Sequence, residues 1–160
     1  MKILKFPHPL LLKPCEEVTA FDEVLLYMLD SMWKTMKENK GMGLAANQVG
    51  IRLNMFVMQG PTGRINFCNP YIAASSVLFA NLREGCLSAP GESVIVPGRA
   101  EWVSVLFQNE NGVHQKVVLR DIYAVCAQHE IEHLEGKSFM GNKSILRATR
   151  KQLAKKWGLK

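Results

Sequence analysis

The chain has 160 residues, enough for one folded domain with its own core and too few for two independent ones. Hydrophobic residues make up 48% and charged residues 21%, which excludes a disordered chain, and no stretch approaches the roughly 20 apolar residues of a membrane span. The net charge of +6 favours encounters with anionic partners such as RNA but does not bear on the fold.

The first twelve residues are apolar enough to resemble a secretory signal. Pro7, His8 and Pro9 interrupt the apolar run, however, and no small-residue cleavage site follows. We therefore expect this segment to belong to the mature chain.

Four cysteines are spread along the chain: Cys15, Cys68, Cys86 and Cys126. They could pair as two disulfides, but nothing in the sequence implies secretion, and so few cysteines in a chain with an adequate core are more often thiols. We therefore expect reduced cysteines and a cytoplasmic protein.

The segment from Asp22 to Asn39 has the spacing of an amphipathic helix. Its apolar residues recur at intervals of three and four, and Gly41 follows as a stop signal. These residues are Leu25, Met28, Leu29, Met32, Trp33 and Met36. We expect this face of the helix to fill the core.

From about residue 51 to residue 119 the pattern changes to short runs rich in β-branched and aromatic residues, separated by Gly, Pro and Asn. The runs are INFCN, SVIV, WVSVLF and VVLR. Between the last two, QNENG at 108–112 carries Asn-Gly, which is a strong signal for a hairpin of antiparallel strands.

A second helix is predicted from about Asp121 to Glu135, ended by Gly136. Strands framed by helices predict an α+β fold in a single domain that spans residues 1–160. In this fold, antiparallel strands pack around the second helix, with the amphipathic helix before them and a basic C-terminal tail helix at 147–160.

The second helix contains the string QHEIEHLEG, residues 128–136. His129 and His133 are four residues apart, so both imidazoles can reach one metal ion, and Glu130 points beside it. This HExxH arrangement is typical of catalytic metal sites. Two surface histidines on a solvated helix face are the alternative interpretation.

A catalytic site needs a third protein ligand. Cys86 lies in REGCLSAP, a turn that can aim a thiolate at a helix arriving from elsewhere, although a buried structural cysteine would look the same. Cys126 shares a helix face with the two histidines, but it lies about 10 Å from His133 along the axis, so we interpret it as an apolar wall residue. The remaining candidates are Cys15, Cys68, His8, His114 and distant carboxylates.

Three strings occur in a characteristic order and spacing: GMGLAANQ at 41–48, EGCLS at 84–88 and QHEIEHLEG at 128–136. Together they resemble the three signature motifs of peptide deformylases. The resemblance extends through the N-terminal ILKFPHPLL and FDEVLLYML and covers the chain to about Phe139. The segment GNKSILRATRKQLAKKWGLK is loosely similar to the helical tail of the bacterial type.

The resemblance implies that Cys86, His129 and His133 bind one divalent metal ion. Fe²⁺ is the expected ion, and Zn²⁺, Ni²⁺ and Co²⁺ also suit one thiolate and two imidazoles. Hydroxide on the metal would attack the formyl carbon of an N-formylmethionyl nascent peptide, and formate would be released.

The same resemblance implies roles for three further residues. Glu130 would shuttle protons, while Gln48 and the backbone N–H of Leu87 would stabilise the oxyanion. The implied pocket for the methionine side chain is lined by Met42, Gly43, Leu82, Gly85, Ile122, Val125 and Cys126. Gly41 and Gly43 would also let the peptide backbone lie close, as an added strand requires.

Three positions depart from the family pattern. Glu132 stands where aspartate is usual, and Arg99 is its expected partner. Ala89 stands where a larger aliphatic residue is common, and Ser93 where many relatives have an arginine that holds the substrate backbone. These changes bear on peptide affinity beyond the first residue, and none replaces an implied metal ligand.

The basic segment at 147–160 would, by the same resemblance, dock at the ribosome, although a solvated helix face would have the same composition. Two other functions fit parts of the sequence: an HExxH zinc peptidase, and a basic RNA-binding module with a structural site that uses both Cys86 and Cys126. The sequence contains no motif for sequence-specific binding of nucleic acid.

Overall fold

The computed structural model describes residues 1–138, so the predicted C-terminal tail helix at 147–160 lies outside the described residues. The strands are β1 Gly43–Ala45, β2 Met55–Gly60, β3 Gly63–Ser75, β4 Arg83–Cys86, β5 Ala89–Ile95, β6 Trp102–Gln108 and β7 His114–Arg120. The helices are α1 Glu23–Glu38 and α2 Asp121–Leu134, with short 3-10 helices at Pro9–Leu12 and Ala46–Val49.

Five of these strands form one antiparallel sheet in the order β1-β2-β3-β6-β7, and β4 and β5 form a separate two-stranded hairpin. The predicted turn at 108–112 joins β6 to β7, with Gln108 opposite His114. The predicted α+β class with antiparallel strands is therefore confirmed.

Strand β2 has core on both of its faces. Met55 and Val57 pack with the cluster that includes α1, whereas Phe56 and Met58 pack with the cluster that includes α2. Successive side chains of a strand point to opposite sides, so a strand between two helices needs apolar residues at every position. This explains the unbroken apolar run MFVM.

Helix α1 follows its sequence pattern closely. Asp22 precedes the first turn, and its side chain accepts a hydrogen bond from the Leu25 N–H at 3.0 Å. The buried apolar residues of its inner face are Leu25, Leu29, Met32 and Met36. The predicted span from Asp22 to Asn39 matches α1 together with its two capping residues.

Helix α2 occupies the centre of the fold, and nine of its residues are buried. It packs against β1, β2, β6 and β7. Gly136 ends it with φ of 72°, and a Cβ there would lie 2.7 Å from the backbone of Lys13 and 2.9 Å from that of Leu12. Within residues 1–138 no helix is long and apolar enough to cross a membrane.

Candidate metal centre

Three side chains from two distant parts of the chain converge behind a surface pocket. His129 and His133 lie one turn apart on α2, and Cys86 is the last residue of β4. The Nε2 atoms of the two histidines are 3.1 Å apart, and the Cys86 Sγ lies 3.2 Å from Nε2 of His133. All three atoms lie within 4.8 Å of one another. The implied ligands therefore form one compact set.

This set has the spacing of a metal site. A tetrahedral ion with metal–nitrogen bonds of about 2.0–2.1 Å and a metal–sulfur bond of about 2.3 Å separates its ligand atoms by about 3.3–3.6 Å. Burial, together with the positive charges of His129 and Arg99, holds the pKa of His133 well below its usual value, which favours the neutral form that binds metals. The residues present therefore fit one divalent ion.

A series of ion pairs orients the His129 ring through its Nδ1 atom. Its Nδ1 lies 2.6 Å from Oε2 of Glu84, and the buried Arg99 donates two hydrogen bonds to Glu84 at 2.8 and 3.0 Å. Arg99 donates two more to Glu132 at 2.6 and 2.8 Å, so the expected partner of Glu132 is in place.

The same contacts govern protonation at this end of the site. Burial raises the pKa of Glu84, but the hydrogen bonds from His129 and Arg99 outweigh it and hold that pKa below its usual value. Burial lowers the pKa of His129, but hydrogen bonds with Cys86 and Glu84 raise it to about 10. A metal ion that binds here must therefore displace a proton.

Glu130 follows His129 on α2 and is only 4% exposed. Its Oε2 makes no hydrogen bond within residues 1–138. Burial raises the pKa of Glu130 to about 7, and a carboxyl group with that pKa can both accept and release a proton near neutral pH. The side chain lines the same pocket as His129.

Gln48 lies in the short helix Ala46–Val49, with its amide held in one orientation. Its Oε1 accepts a hydrogen bond from the Ala45 N–H at 2.9 Å. Its Nε2 lies 3.1 Å from Oγ of Ser88 and 3.6 Å from Sγ of Cys86. A side-chain donor is thus fixed beside the Cys86 thiol.

The N-terminal segment at 3–6 connects the loop of Gln48 with the turn after Cys86. The bonds run from the Leu4 N–H to the Gln48 carbonyl at 2.8 Å, from the Phe6 N–H to the Ser88 carbonyl at 2.9 Å, and from Lys5 Nζ to the Leu87 carbonyl at 2.6 Å. These bonds give the apolar N-terminus a positioning role at the site, which its composition did not reveal.

A pocket of about 500 Å³ opens in front of the ligand cluster. Glu130, Gln48 and Leu87 line it. Six residues of the predicted methionine pocket also line it: Met42, Gly43, Gly85, Ile122, Val125 and Cys126. Leu82 is not part of this lining. It is 37% exposed and precedes the first residue of β4, so strand pairing does not turn it towards the pocket.

Gly43 leaves room for the side chains of Glu130 and Cys126. A Cβ at this position would lie 2.5 Å from Oε1 of Glu130 and 2.8 Å from Sγ of Cys126. Real Cβ atoms do not make contacts this short, so a larger residue at position 43 must displace Glu130 and Cys126 or shift the backbone. From the sequence we expected glycine at this position because a peptide backbone must lie close to it. The structure adds a second reason, the lack of space beside Glu130.

All four cysteines are free thiols. Cys126 lies in the pocket wall and does not join the ligand cluster formed within residues 1–138. Burial, together with the negative charges of Glu130 and Glu84, raises the pKa of Cys126 well above its usual value, which disfavours the thiolate that binds metal. This arrangement disfavours the alternative structural site that would use both Cys86 and Cys126.

Glu84 is the site residue that the sequence analysis did not single out. Its position carries a usable signal, because residues two apart on a strand point to the same side and Glu84 lies two before Cys86. A carboxylate on the ligand's side of the strand is a natural partner for a metal-binding histidine.

Comparisons with known proteins agree with this site. The sequence profile of the family described as Polypeptide deformylase matches residues 1–148. Peptide deformylase 1 of Shewanella oneidensis is 41% identical over 153 residues, which cover 94% of this chain and 90% of that protein.

Solved structures of peptide deformylases share the fold. The crystal structure of peptide deformylase from Thermotoga maritima has a TM-score of 0.84 at 36% identity, over 88% of this chain and 95% of that one. The Plasmodium falciparum peptide deformylase in complex with an inhibitor also gives 0.84, at 35% identity, over 96% of this chain and 97% of that one. This chain therefore belongs to the peptide deformylase family, the hydrolases that remove the N-formyl group from the methionine of nascent peptides.

Proposed function

We propose that Cys86, His129 and His133 hold one divalent metal ion at which the N-formyl group of a peptide is hydrolysed. The observation that carries this proposal is the convergence of the three ligand atoms within 4.8 Å at the back of a pocket that Glu130 also lines. One thiolate and two imidazoles suit Fe²⁺, which we propose as the resident ion, and also Zn²⁺, Ni²⁺ and Co²⁺. When bound, the ion supplies Lewis-acid chemistry that makes water a nucleophile near neutral pH.

Glu130 is the proposed proton carrier. It accepts a proton from the attacking water and delivers it to the leaving amine nitrogen, so that formate and a free N-terminal amine result. Its burial, its unpaired Oε2 within residues 1–138 and its pKa of about 7 support this role. A carboxylate that accepts strong hydrogen bonds has a lowered pKa and would accept the proton of the attacking water less readily.

Gln48 and the N–H of Leu87 are the proposed donors to the oxyanion that forms on the formyl group. Donors stabilise a developing charge best when they are already oriented, because no reorganisation then accompanies the reaction. The bond from the Ala45 N–H holds the Gln48 amide, and Lys5 Nζ anchors the Leu87 carbonyl next to the proposed N–H donor.

The proposed substrates are N-formylmethionyl nascent peptides. Ile122, Val125 and Cys126 form an apolar wall on α2 that suits a methionine side chain. Within residues 1–138, β1 pairs only with β2 and β4 pairs only with β5, and residues of both unpaired edges line the pocket. An extended peptide can therefore lie between two strand edges and bond to their backbones.

The proposed place of action is the cytoplasm, where ribosomes supply such peptides and free thiols are stable. The basic segment at 147–160 would dock on ribosomal RNA, whose phosphates bind lysine and arginine in a salt-dependent manner. Deleting this segment should weaken ribosome binding at low salt and leave hydrolysis of a short formyl peptide nearly intact. Unchanged ribosome binding by a folded truncated protein would refute the docking role and leave the proposed hydrolysis unaffected.

The test of the activity compares formyl-Met-Ala-Ser with unformylated Met-Ala-Ser on the same metal-loaded protein. We expect formate from the first peptide and no cleavage of the second. Cleavage of peptide bonds in the unformylated peptide would instead support the HExxH peptidase alternative.

A further inference from the structure

Lys40 has a backbone conformation that favours glycine. Its φ is 57°, in the left-handed region, directly after the capping residue of α1. Its N–H bonds to the Lys37 carbonyl, and the Gly41 N–H bonds to the Met36 carbonyl. This is the Schellman pattern, in which the left-handed position is most often glycine because a Cβ there is sterically unfavourable.

Lys40 is one of the residues that line the pocket in front of the proposed metal ligands. Residues held in sparsely populated backbone conformations cluster at active sites and ligand-binding sites. A lysine where glycine would be more stable, at a position that lines the pocket, therefore points to a role in binding.

Arg83, the first residue of β4, is a second cation in the lining of this pocket. Its Nε donates to the Ser93 Oγ at 3.3 Å, and its Nη2 donates to the Ser93 carbonyl. These bonds across the β4–β5 hairpin fix the guanidinium while using two of its five N–H groups. The other three remain available to a ligand.

Neither cation has a carboxylate within ion-pair distance among residues 1–138. Three carboxylates line the same pocket. Glu84 is paired with Arg99, Glu130 is buried beside the ligands, and Glu92 is the remaining acid at the rim. The rim is therefore positively charged towards an entering peptide.

The spacing relates these charges to the substrate. Arg83 lies three residues before the ligand Cys86, and Lys40 lies three before Gly43, which adjoins Glu130. Three residues of the extended strand β4 span about 10 Å, so this is the distance of Arg83 from Cys86, whereas residues 40–42 are not extended and bring Lys40 no farther than that from Gly43. A peptide whose formyl group lies at the metal reaches the same distance at about its third residue.

We propose that Arg83 and Lys40 select formyl peptides that carry an acidic side chain at the second to fourth residue. This inference rests on the proposed deformylase function and adds a specificity to it. The two cations bind the carboxylate of the substrate side chain and thereby raise kcat/KM for acidic peptides over neutral ones.

The experiment uses the metal-loaded full chain and formyl-Met-Ala-Ala-Ala amide, in which position two, three or four is replaced by Glu or by its neutral isostere Gln. The C-terminal amide removes a competing carboxylate. We define the Glu-to-Gln ratio as kcat/KM of the Glu peptide divided by kcat/KM of the Gln peptide. At low salt, and at the peptide position with the largest effect, each cation should raise this ratio by about twofold to fivefold. The ratio should approach one in about 1 M salt, which screens exposed charges.

Three variants test whether Arg83 and Lys40 cause the preference for the Glu peptide. Arg83→Gln and Lys40→Gly should each lower the Glu-to-Gln ratio, while the exposed Lys116→Gln on β7, outside the pocket, should leave it unchanged. Lys40→Gly should also raise Tm by roughly 2–4 °C, because glycine relieves the left-handed backbone. A higher Tm without a change in the ratio would show that Lys40 is only structural and would contradict the proposal.

A Glu-to-Gln ratio near one for the wild-type protein at low salt would overturn the selection outright. In that case hydrolysis of the neutral Gln peptides would leave the deformylase function standing. Absence of hydrolysis of every formyl peptide, with metal bound, would instead overturn the proposed function and this inference together.

Discussion

The Glu84 carboxylate lies 2.6 Å from Nδ1 of His129, on the opposite side of the ring from the Nε2 that faces His133 at 3.1 Å. This contact fixes which nitrogen of His129 is presented to a metal ion. Glu84 is itself held by two hydrogen bonds from the buried Arg99. The ring is therefore oriented by a supported carboxylate and not by packing alone.

Replacement of Glu84 should weaken metal binding. Glu84→Gln keeps the side-chain volume but removes the charge that orients His129, so metal affinity should fall by about 10-fold to 100-fold. Competition with a chelator measures the affinity. Glu132→Gln is the matched control, because Glu132 also pairs with Arg99 but is partly exposed. Its replacement should lower metal affinity less than that of Glu84. Equal affinity of wild type and Glu84→Gln would contradict the orienting role.

Replacement of Glu130 should separate metal binding from turnover. Glu130→Gln leaves all three ligands intact but cannot carry a proton, so kcat should fall by about 10² to 10⁴ while metal content stays near one per chain. Metal analysis and formate release on one preparation provide both values. Turnover at the wild-type rate with metal bound would exclude Glu130 as the proton carrier.

Removal of the metal should change the reactivity of one cysteine. Burial raises the pKa of Cys15 to about 11 and that of Cys68 to about 12, so both should react slowly with iodoacetamide at pH 8 in the native protein. Cys86 should be alkylated in the metal-free protein and protected once Zn²⁺ is added. Peptide mass spectrometry identifies the labelled residue, and protection of Cys126 instead of Cys86 would contradict the ligand assignment.

Substitution at Gly43 should act on catalysis through Glu130. In Gly43→Ala the new Cβ collides with the Glu130 side chain, so we expect a loss of turnover of at least 10-fold per folded, metal-loaded molecule, within the range for disturbed acid–base groups. Gly60→Ala is a matched control, because its Cβ would lie 2.5 Å from Cδ1 of Ile65, outside the pocket. It should lower stability and preserve the activity of folded molecules. A normal rate for Gly43→Ala would show that Glu130 can move without consequence.

The parts of the fold that depend on local spacing were predictable from the sequence. The apolar period and the Asp22 cap define α1, and Gly136 ends α2 where predicted. The three-residue strand β1 was not predicted, because it exists only through pairing with β2. Such a short segment has no periodicity of its own, and long-range pairing determines its conformation.

Some features of the candidate site were also predictable from the sequence, and others were not. The spacing of His129 and His133 and the motif around Cys86 predicted residues that lie together in the structure. Other features of the site arise from contacts between segments that are distant in sequence. They are the packing of Gly43 against Glu130 and the hydrogen bonds of the segment at 3–6 to Gln48 and Ser88. No pattern within either segment encodes such contacts, so they required the three-dimensional structure.

The most direct test is a titration of metal-free protein with Fe²⁺ under anaerobic conditions, with formate release from formyl-Met-Ala-Ser as the readout. We predict no activity without metal, a linear rise to a plateau at one ion per chain, and no rise for a Cys86→Ser variant at the same ion concentrations. Full activity in the metal-free protein, or an identical titration curve for Cys86→Ser, would contradict a catalytic metal held by Cys86, His129 and His133.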